Sequence, residues 1–417
     1  MESSMDRLEC LFCKKKFDFN LFNPFCPECG EPMVMALSRQ KRTIALDRSL
    51  CLEKFRAFLP LASVDRRLSL GEGNTPLVPL HRVREKYFLP LLLAKNETMN
   101  PTHSFKDRGT AVAIQKAVAL SIKKVGTVST GNMAASTAAY AAKAGLESFI
   151  FLKEGTSPQK ILSTQIYGAR VFKMKGDYGQ LFRKSFVFGR EKGIYFANSV
   201  DPLRIEGYKT IAYEIFLALG NKAPRFVFVP VSSGGNLIGI MKGFIDLKEE
   251  GLVRDWPIFV GVQAEGCSPI TRAFKEGKEK YERVARAETI AHAISNPDPP
   301  AGNLVLKLIR EMGGLLLDVT DKEILNAQKE LAELEGIFAD PASVTTLAAI
   351  LKNRDKLPWP DSSAWRRLSG EVVLIITGSG LKHMTHKADR GKSNKPLFLG
   401  QKWHFRAKKR SRSLLSC

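Results

Sequence analysis

The chain contains 417 residues, of which 44% are hydrophobic, so it can bury more than one apolar core. Its formal net charge of +22 raises the question of a nucleic-acid partner. The longest apolar runs, such as Phe88 to Ala94, are much too short to cross a bilayer. These features argue against a membrane partner and favour a folded globular protein over a filament or a disordered chain.

Four cysteines near the amino terminus form two closely spaced pairs. Two residues separate Cys10 from Cys13 and Cys26 from Cys29, and twelve residues lie between the pairs. This spacing is typical of a zinc ribbon, in which four thiolates complete a closed tetrahedral site. Two disulfides are the alternative, but they need an oxidising compartment, and the first seven residues lack the apolar core of a signal peptide. We therefore predict structural zinc in residues 1–36 and a cytoplasmic location.

Lys106 follows a loop and opens a segment of helical composition. Pro101 disfavours the helical conformation for Asn100, and Ser104 is a candidate helix cap. Unpaired backbone donors at a helix start create a positive field, so we expect a lowered pKa for a lysine buried there. Such a lysine readily forms a Schiff base with pyridoxal phosphate (PLP). Since a lone lysine at a helix start is more often a solvated cap, this interpretation depends on the loops that follow.

A four-residue turn joins the apolar stretch 125–128 to the alanine-rich segment 133–144. The turn consists of Ser129, Thr130, Gly131 and Asn132. Because N–H groups at a helix start bind anions, the turn is a candidate for holding a substrate carboxylate. The Asn132 side chain is a candidate for the cofactor's phenolic oxygen. An ordinary helix cap is the alternative.

A further turn follows the apolar run 226–231 and precedes a helix-like segment. It contains Ser233, Gly234, Gly235 and Asn236. Glycines allow close approach of the backbone, and successive N–H groups at a helix start form a phosphate cradle. The spacing matches neither the dinucleotide pattern G-x-G-x-x-G nor the Walker pattern, which argues against those nucleotide sites. Taken alone, the turn is equally compatible with a plain connection.

The last of these loops begins at Thr377, after the apolar run 372–376. A threonine hydroxyl, unlike a carboxylate, can hydrogen-bond to a pyridine nitrogen without holding it protonated. Together with Lys106, the three loops predict a PLP site.

Taken in chain order, several motifs resemble the threonine synthase family of fold-type II PLP enzymes. They are N-P-T-x-S-F-K-D-R-G around Lys106, S-T-G-N at 129–132, S-G-G-N at 233–236 and T-G-x-G-L-K from Thr377. The segments 71–77, 198–210 and 336–343 also fit, and the similarity extends from about Leu70 to Lys382. Several independent motifs in one order are more specific than any one of them.

The resemblance implies an α/β fold of PLP fold type II, like the tryptophan synthase beta subunit, with two open parallel-sheet domains. It also implies a reaction, the conversion of O-phosphohomoserine and water to threonine and phosphate. Lys106 would be catalytic and carry the cofactor. The other implied cofactor contacts are Asn132, Ser233, Gly234, Gly235, Asn236 and Thr377. The implied substrate contacts are Ser129, Thr130 and Gly131 for the carboxylate, and Asn198, Ser199 and Arg204 for the phosphate.

Some positions depart from the family pattern and bear on the substrate. His103 stands where glycine is usual, and Tyr208 replaces a usual glutamine. Met133 stands where a small or hydroxyl residue is common, and it cannot donate a strong hydrogen bond. We expect the fold and the cofactor to survive these changes.

Short apolar strands alternate with helical stretches, which predicts parallel sheets covered by helices. The predicted strands include 125–128, 148–152, 226–231, 258–262 and 372–376. The predicted domains are a zinc ribbon at 1–36, a large PLP-binding domain at 37–108 and 199–382, a small mobile domain at 109–198 and a tail at 383–417.

The tail contains ten Lys or Arg residues and one Asp, for a net charge of +9. It has no helical or strand period, and we predict a solvated, disordered segment. Contact of Trp403 and Phe405 with RNA or a membrane surface, and a changed reading frame after Lys382, are the alternatives.

Two other activities remain open within the same fold: a serine or threonine ammonia-lyase, and a phosphoserine-using synthase such as cysteate synthase. From a different class, the rival is a nucleic-acid-binding protein with a vestigial PLP pocket. We expect a small phosphorylated amino acid as the partner rather than nucleic acid, and a homodimer is left open.

Overall fold

The structure is a computed structural model that describes residues 7–36, 41–156, 158–175, 178–354 and 370–383. The predicted disorder of the tail therefore falls outside the described residues from position 384 onward. Within the described residues, every helix is too short or too polar to cross a membrane.

Thirteen strands and twelve α-helices lie in the described part of the chain. The strands are β1 Arg7–Glu9, β2 Lys16–Asp18, β3 Val34–Ala36, β4 Leu77–Pro79, β5 Leu92–Asn96, β6 Lys124–Val128, β7 Glu147–Lys153, β8 Arg170–Met174, β9 Tyr195–Phe196, β10 Phe226–Pro230, β11 Ile258–Ala264, β12 Leu315–Val319 and β13 Val372–Ile376. The helices are α1 Cys51–Lys54, α2 His81–Tyr87, α3 Lys106–Ala119, α4 Asn132–Lys143, α5 Pro158–Gln165, α6 Tyr178–Lys192, α7 Pro202–Ala218, α8 Gly235–Glu249, α9 Pro269–Lys275, α10 Gly302–Glu311, α11 Asp321–Glu335 and α12 Thr345–Asn353.

The amino-terminal segment folds into a small antiparallel sheet of order β2-β1-β3. Leu8 of the central strand is fully buried and pairs with Phe17 on one side and Met35 on the other. Each cysteine pair sits in a tight turn that passes through the left-handed region, at Lys14 with φ 63° and at Gly30 with φ 74°. These turns bring the two pairs to the same end of the sheet.

A six-stranded sheet of order β12-β11-β10-β13-β5-β4 forms the larger layer. Its strands are parallel except for β4, which pairs antiparallel with β5 at one edge. The central strands β10 and β13 consist entirely of buried residues because helices cover both faces. Since parallel strands end at the same edge, the loops after β10 and β13 lie side by side. These are the predicted Ser233 and Thr377 loops.

A second parallel sheet, of order β8-β7-β6-β9, uses strands from residues 124–196. Its strand β6 leads directly into the predicted Ser129 turn. Position 109, where the predicted small domain begins, lies inside α3. The mobility of that domain stays a prediction.

Helices α3, α7 and α8 pack unusually closely because glycines lie at their contacts. A Cβ on Gly239 of α8 would lie 2.6 Å from Tyr208 Cβ of α7. A Cβ on Gly207 would overlap the backbone carbonyl of Arg108 on α3. The backbones therefore approach each other directly, and this packing brings the side chains of α7 beside the start of α3.

Candidate active site

The predicted catalytic lysine lies at the start of a buried helix. Lys106 is the first residue of α3, and Phe105 occupies the N-cap position. Asn100 is extended, with φ −64° and ψ 156°, as the following proline requires. The prediction that Ser104 caps the helix is wrong, because no side chain caps α3 at its N-cap and the buried Ser104 hydroxyl has no hydrogen-bond partner among the described residues.

Burial and a neighbouring cation lower the pKa of Lys106 to about 7. Burial is the larger cause, because a charged amine loses hydration inside the protein, and the charge of Arg204 is the second. Nζ lies 4.3 Å from the ring centroid of Phe105 and 5.8 Å from that of Tyr208. The lowered pKa agrees with the sequence-based expectation. Its main causes, however, are burial and the charge of Arg204, which depend on the tertiary structure. At neutral pH much of the amine is unprotonated, as a base or nucleophile requires.

Polar contacts fix the loop that leads into α3. Asp107 accepts hydrogen bonds from the backbone N–H and the hydroxyl of Thr102, both at 2.6 Å. The Thr102 carbonyl accepts from Lys382 Nζ at 2.7 Å. His103 has a φ of 60°, in the left-handed region that favours glycine, and its carbonyl accepts from the Ser379 N–H at 3.1 Å. The loop before α3 is thus bound to the loop after β13.

Sequence reasoning missed a buried charge network close to the lysine. Arg108 is fully buried on α3 and pairs with Glu97 at 2.6 Å and with Glu214 at 2.7 Å. Lys95 contacts Glu214 at 2.6 Å. Burial alone would raise the pKa of Glu214, but the charges of Arg108 and Lys95 hold it well below its ordinary value. In the sequence, the only sign of this network is a charged residue, Arg108, within an alanine- and valine-rich helix. That sign does not reveal which acidic residues pair with it.

The glycine-containing loop after β10 forms the start of α8. Gly234 occupies the N-cap with a φ of 98°, and a Cβ there would lie 2.7 Å from Val305 Cγ2. The Ser233 hydroxyl accepts from Asn296 Nδ2 at 3.0 Å. Both polar side-chain atoms of Asn236 are buried and lack hydrogen-bond partners among the described residues. Because the first N–H groups of a helix have no acceptor within it, this start offers donors to an anion.

Thr377 belongs to a chain of hydroxyl and carboxylate groups. Its hydroxyl lies 2.9 Å from that of Ser343. The Ser343 hydroxyl donates to Asp340 Oδ1 at 2.7 Å and accepts from the Gly378 N–H at 2.8 Å. The Thr377 carbonyl accepts from the Phe105 N–H at 3.1 Å, which ties this loop to the start of α3.

The turn after β6 lies beside the Thr377 loop. Gly131 is the N-cap of α4, and its N–H donates to Ser129 Oγ at 3.2 Å. Ser129 and Thr130 are half-buried, so the turn is accessible to a ligand. Asn132 Nδ2 lies 3.1 Å from the point that a Cβ on Gly378 would occupy. The structure thus brings Asn132 close to the loop that carries Thr377.

Arg204, predicted to hold a substrate phosphate, is fully buried on α7. Its Nη1 donates to Thr110 Oγ1 at 2.7 Å, its Nη2 to Thr137 Oγ1 at 2.6 Å and its Nε to the Ala197 carbonyl at 2.6 Å. These bonds use three of the five N–H donors of a guanidinium. Among the described residues, no carboxylate lies within ion-pair distance of it.

Asn198 and Ser199, the other two residues predicted to hold the phosphate, differ from each other in their surroundings. The Asn198 amide accepts from the Val128 N–H at 2.8 Å and donates to Ser185 Oγ at 2.9 Å, so protein groups occupy both ends of it. The Ser199 hydroxyl is buried without a hydrogen-bond partner among the described residues. The Ser199 carbonyl lies 2.5 Å from the point that a Cβ on Gly235 would occupy, which places this residue beside the start of α8.

Buried polar atoms without hydrogen-bond partners cluster around these loops. Within the described residues, the side chains that share this property and border the site are those of Ser104, Ser199, Tyr208 and Asn236. Because buried polar groups in native structures almost always have a partner, their convergence around Lys106 indicates a place for a polar ligand.

A family pattern described as pyridoxal-phosphate dependent enzyme matches residues 68–378, which include all these loops. The chain belongs to this family. The match confirms the sequence-based expectation of a PLP enzyme, which rested on Lys106 and the three loops.

Relatives of this PLP-dependent enzyme include curated threonine synthases. The one from Methanocaldococcus jannaschii is 35% identical over 390 residues, covering 89% of this chain and 92% of that protein. The one from Methanosarcina acetivorans is 36% identical over 357 residues, covering 84% of this chain and 87% of that protein. Among solved structures, serine racemase from Dictyostelium discoideum superposes with a TM-score of 0.61 at 24% identity, over 74% of this chain and 93% of that one. This likeness confirms the predicted fold class.

The residues around the lysine fit PLP. Lys106 offers an amine of lowered pKa, and the start of α8 offers backbone donors for a phosphate next to the unpaired Asn236 amide. Thr377 offers a hydroxyl at the end of β13. A side chain on Gly234 would collide with Val305, so the close backbone approach depends on glycine.

The four predicted metal-binding cysteines come together in the amino-terminal sheet. Their Sγ atoms all lie within 4.8 Å of one another. Cys10 and Cys29 are 3.4 Å apart and Cys13 and Cys26 are 3.6 Å apart, and all four thiols are free of disulfides. Thiolates bound tetrahedrally to zinc at ~2.3 Å are about 3.8 Å apart, so the cluster suits such an ion.

The ribbon contacts helices of both larger sheets. Phe25 packs edge-on against Phe182 and Phe186 of α6, with ring centroids 6.2 Å and 5.6 Å away. Glu31 accepts from Asn303 Nδ2 of α10 at 2.8 Å. Since α6 packs on the four-stranded sheet and α10 on the six-stranded one, the ribbon connects the two layers.

Proposed function

We propose that this chain is a threonine synthase, which converts O-phosphohomoserine and water to threonine and phosphate. The observation that carries the proposal is the pairing of two neighbouring groups. Lys106 has a pKa of about 7, and beside it lies Arg204, whose buried guanidinium has no carboxylate within ion-pair distance among the described residues. The charge of the buried Asp201 carboxylate acts on Arg204 from beyond ion-pair distance, so the guanidinium keeps donors for an anion, and the substrate's phosphate supplies one. The threonine synthases that cover most of the chain, at 35–36% identity, support the same activity.

In this proposal, five residues hold the cofactor. Lys106 carries it, the N–H groups of Gly235 and Asn236 bind its phosphate, Asn132 contacts the ring oxygen and Thr377 the ring nitrogen. When bound, PLP supplies an electron sink for negative charge that develops on substrate carbons. The Ser343 hydroxyl lies 2.9 Å from that of Thr377 and is itself held by Asp340 Oδ1 at 2.7 Å and by the Gly378 N–H at 2.8 Å, so this contact fixes the position of the Thr377 oxygen.

Lys106 carries the proton transfers of the proposed reaction. Because the Lys106 pKa is about 7, the amine is able both to take a proton from the substrate α carbon and to return one at neutral pH. The side chain of Lys106 is half-buried, and its amine lies beside the aromatic rings of Phe105 and Tyr208. These apolar neighbours replace part of the water around the amine, which favours its uncharged form.

The substrate phosphate is assigned to Arg204 and Ser199. Arg204 retains two N–H donors beyond its three protein contacts, and the Ser199 hydroxyl is unpaired among the described residues. Asn198 has protein partners at both ends of its amide, so we assign it the role of positioning this segment against β6. The turn of Ser129, Thr130 and Gly131, in which the first two residues are half-buried and Gly131 is exposed, is assigned to the substrate carboxylate.

We also propose that the cysteine cluster binds one structural zinc ion. Cys10, Cys13, Cys26 and Cys29 would fill all four positions, which leaves none for substrate. The role of the metal is therefore to stabilise a small module that has few apolar residues of its own.

The proposed function is tested by assaying the purified protein separately with O-phosphohomoserine, O-phosphoserine and threonine. Release of phosphate together with threonine from O-phosphohomoserine supports the proposal. Release of ammonia from threonine, without turnover of either phosphorylated substrate, would instead identify an ammonia-lyase. Turnover restricted to O-phosphoserine would identify a synthase of the cysteate synthase type.

A further inference from the structure

Tyr208 lies between two helices of the candidate site. It follows Arg204 by four positions on α7, so the two side chains share one face of that helix. Its ring is fully buried, and its centroid lies 5.0 Å from that of Phe105 and 5.8 Å from Lys106 Nζ. Its Cζ atom, which carries the hydroxyl, lies 2.8 Å from the point that a Cβ on Gly109 would occupy. The phenol end therefore lies against the first turns of α3.

The Tyr208 hydroxyl is buried, and among the described residues no acceptor for its proton lies within hydrogen-bond distance. Its neighbour Arg204 contacts it but can only donate. Two other buried tyrosines do have such an acceptor. Tyr140 donates to Glu72 at 2.8 Å, and Tyr213, on the same helix as Tyr208, donates to Asp246 at 2.5 Å. Because a buried hydroxyl normally finds an acceptor, the Tyr208 hydroxyl points to an acceptor that comes from a ligand.

Buried charges of both signs act on this hydroxyl. Burial raises the Tyr208 pKa, and the Arg204 guanidinium opposes that rise by its charge and by its contact with the hydroxyl. The carboxylates of Asp201 and Asp107 raise the Tyr208 pKa through their charge, with a smaller effect than that of Arg204. Met133, buried in the first turn of α4, offers no strong donor. The Arg204 guanidinium, which has two N–H donors beyond its three protein contacts, and the Tyr208 phenol thus offer hydrogen-bond donors to the same region, and together they suit an anion with several acceptor oxygens.

We propose that the Tyr208 hydroxyl donates a hydrogen bond to the phosphate group of the phosphorylated amino acid, next to Arg204, and so helps to select phosphorylated substrates. This inference rests on the proposed function for the identity of the substrate, but not for the binding of phosphate. As the bond between the γ carbon and oxygen breaks, its electron pair stays on the departing phosphate, and the phenol stabilises that charge without transferring its proton. Burial raises the Tyr208 pKa, so the hydroxyl keeps its proton through the neutral range.

The test compares Tyr208→Phe with Tyr213→Phe in the cofactor-loaded protein. Each change removes one buried hydroxyl from α7 and keeps the ring. For Tyr208→Phe we expect KM for O-phosphohomoserine and the calorimetric Kd for inorganic phosphate each to rise about tenfold. We expect no fall in the Tm of the phosphate-free protein, since the proton of the lost hydroxyl has no acceptor among the described residues. For Tyr213→Phe we expect the reverse: a lower Tm with KM and phosphate Kd unchanged.

Two results would overturn the inference. One is an unchanged phosphate Kd in Tyr208→Phe, and the other is a lower Tm in that variant, because it would show that the hydroxyl has a structural partner. The proposed function fails separately, if the wild-type protein releases no phosphate from O-phosphohomoserine. In that case the phosphate titration still decides whether Tyr208 binds the anion.

Discussion

Arg204 Nη1 donates a hydrogen bond to the hydroxyl of Thr110 at 2.7 Å. Thr110 lies one helical turn after Lys106, and its hydroxyl contacts the Lys106 carbonyl at 2.9 Å. The buried arginine of α7 is thereby held against the helix that begins with the lysine. Its charge lowers the Lys106 pKa and also prepares the site for an anion.

Replacing Lys106 by alanine should abolish turnover while leaving the fold intact. The loss should be at least about a hundredfold, because Lys106 is the assigned proton-transfer group. Reduction of the wild-type protein with borohydride should leave the cofactor on the peptide that contains Lys106. The matched control is Lys116→Ala on the same helix, whose amine contacts the Pro60 carbonyl and which should keep its activity. Turnover by Lys106→Ala at the wild-type rate would refute the assignment.

The stability of the cofactor-free protein should report the lowered Lys106 pKa. The folded-state pKa of about 7 lies below the ordinary value of 10.5, so between these pH values the folded state binds fewer protons than the unfolded state. The contribution of Lys106 to the free energy of unfolding should therefore rise as pH increases from 7 to 10.5, and should level off below pH 7. Urea titrations of wild type and Lys106→Met across this range isolate that contribution. A difference between them that does not vary with pH would contradict the shift.

Ser343→Ala should weaken the binding of PLP by about tenfold, the usual effect of losing one buried hydrogen bond to a ligand-binding group. The change leaves the Thr377 hydroxyl without its 2.9 Å partner and the Gly378 N–H without its acceptor. Equilibrium titration of the apoprotein with PLP measures the effect. The control is Thr345→Ala, because that buried hydroxyl donates only to the Ala342 carbonyl at 2.7 Å. Equal affinities in the two variants would show that Ser343 does not position Thr377.

Cys26→Ser should release the proposed zinc ion and lower the Tm, with loss of activity only as a consequence of unfolding. Metal analysis of freshly reduced wild-type protein should give one zinc per chain. Cys267→Ser is the control, because that buried thiol lies outside the cysteine cluster, and it should retain the metal. Wild-type protein without zinc would remove the basis for the site. Because Phe25 packs on α6, metal loss should also increase amide exchange in α6.

Local patterns in the sequence determined a large part of this protein. The strand 372–376 was predicted with the bounds of β13, and the helix start at Lys106 follows from Pro101 and the alanine-rich segment behind it. The cysteine pairs reveal their common site because each pair lies within one tight turn. In each case the information lies within a few consecutive residues, where backbone preferences and side-chain spacing act directly.

Only the tertiary structure decided the contacts between segments that lie far apart in the chain. It brought Arg204 to Lys106 and Ser343 to Thr377, and it left the Tyr208 hydroxyl without an acceptor among the described residues. It also showed that Ser104 does not cap α3. These outcomes depend on how closely α3, α7 and α8 pack, and a residue's sequence neighbours do not determine which distant side chain meets it in a buried core.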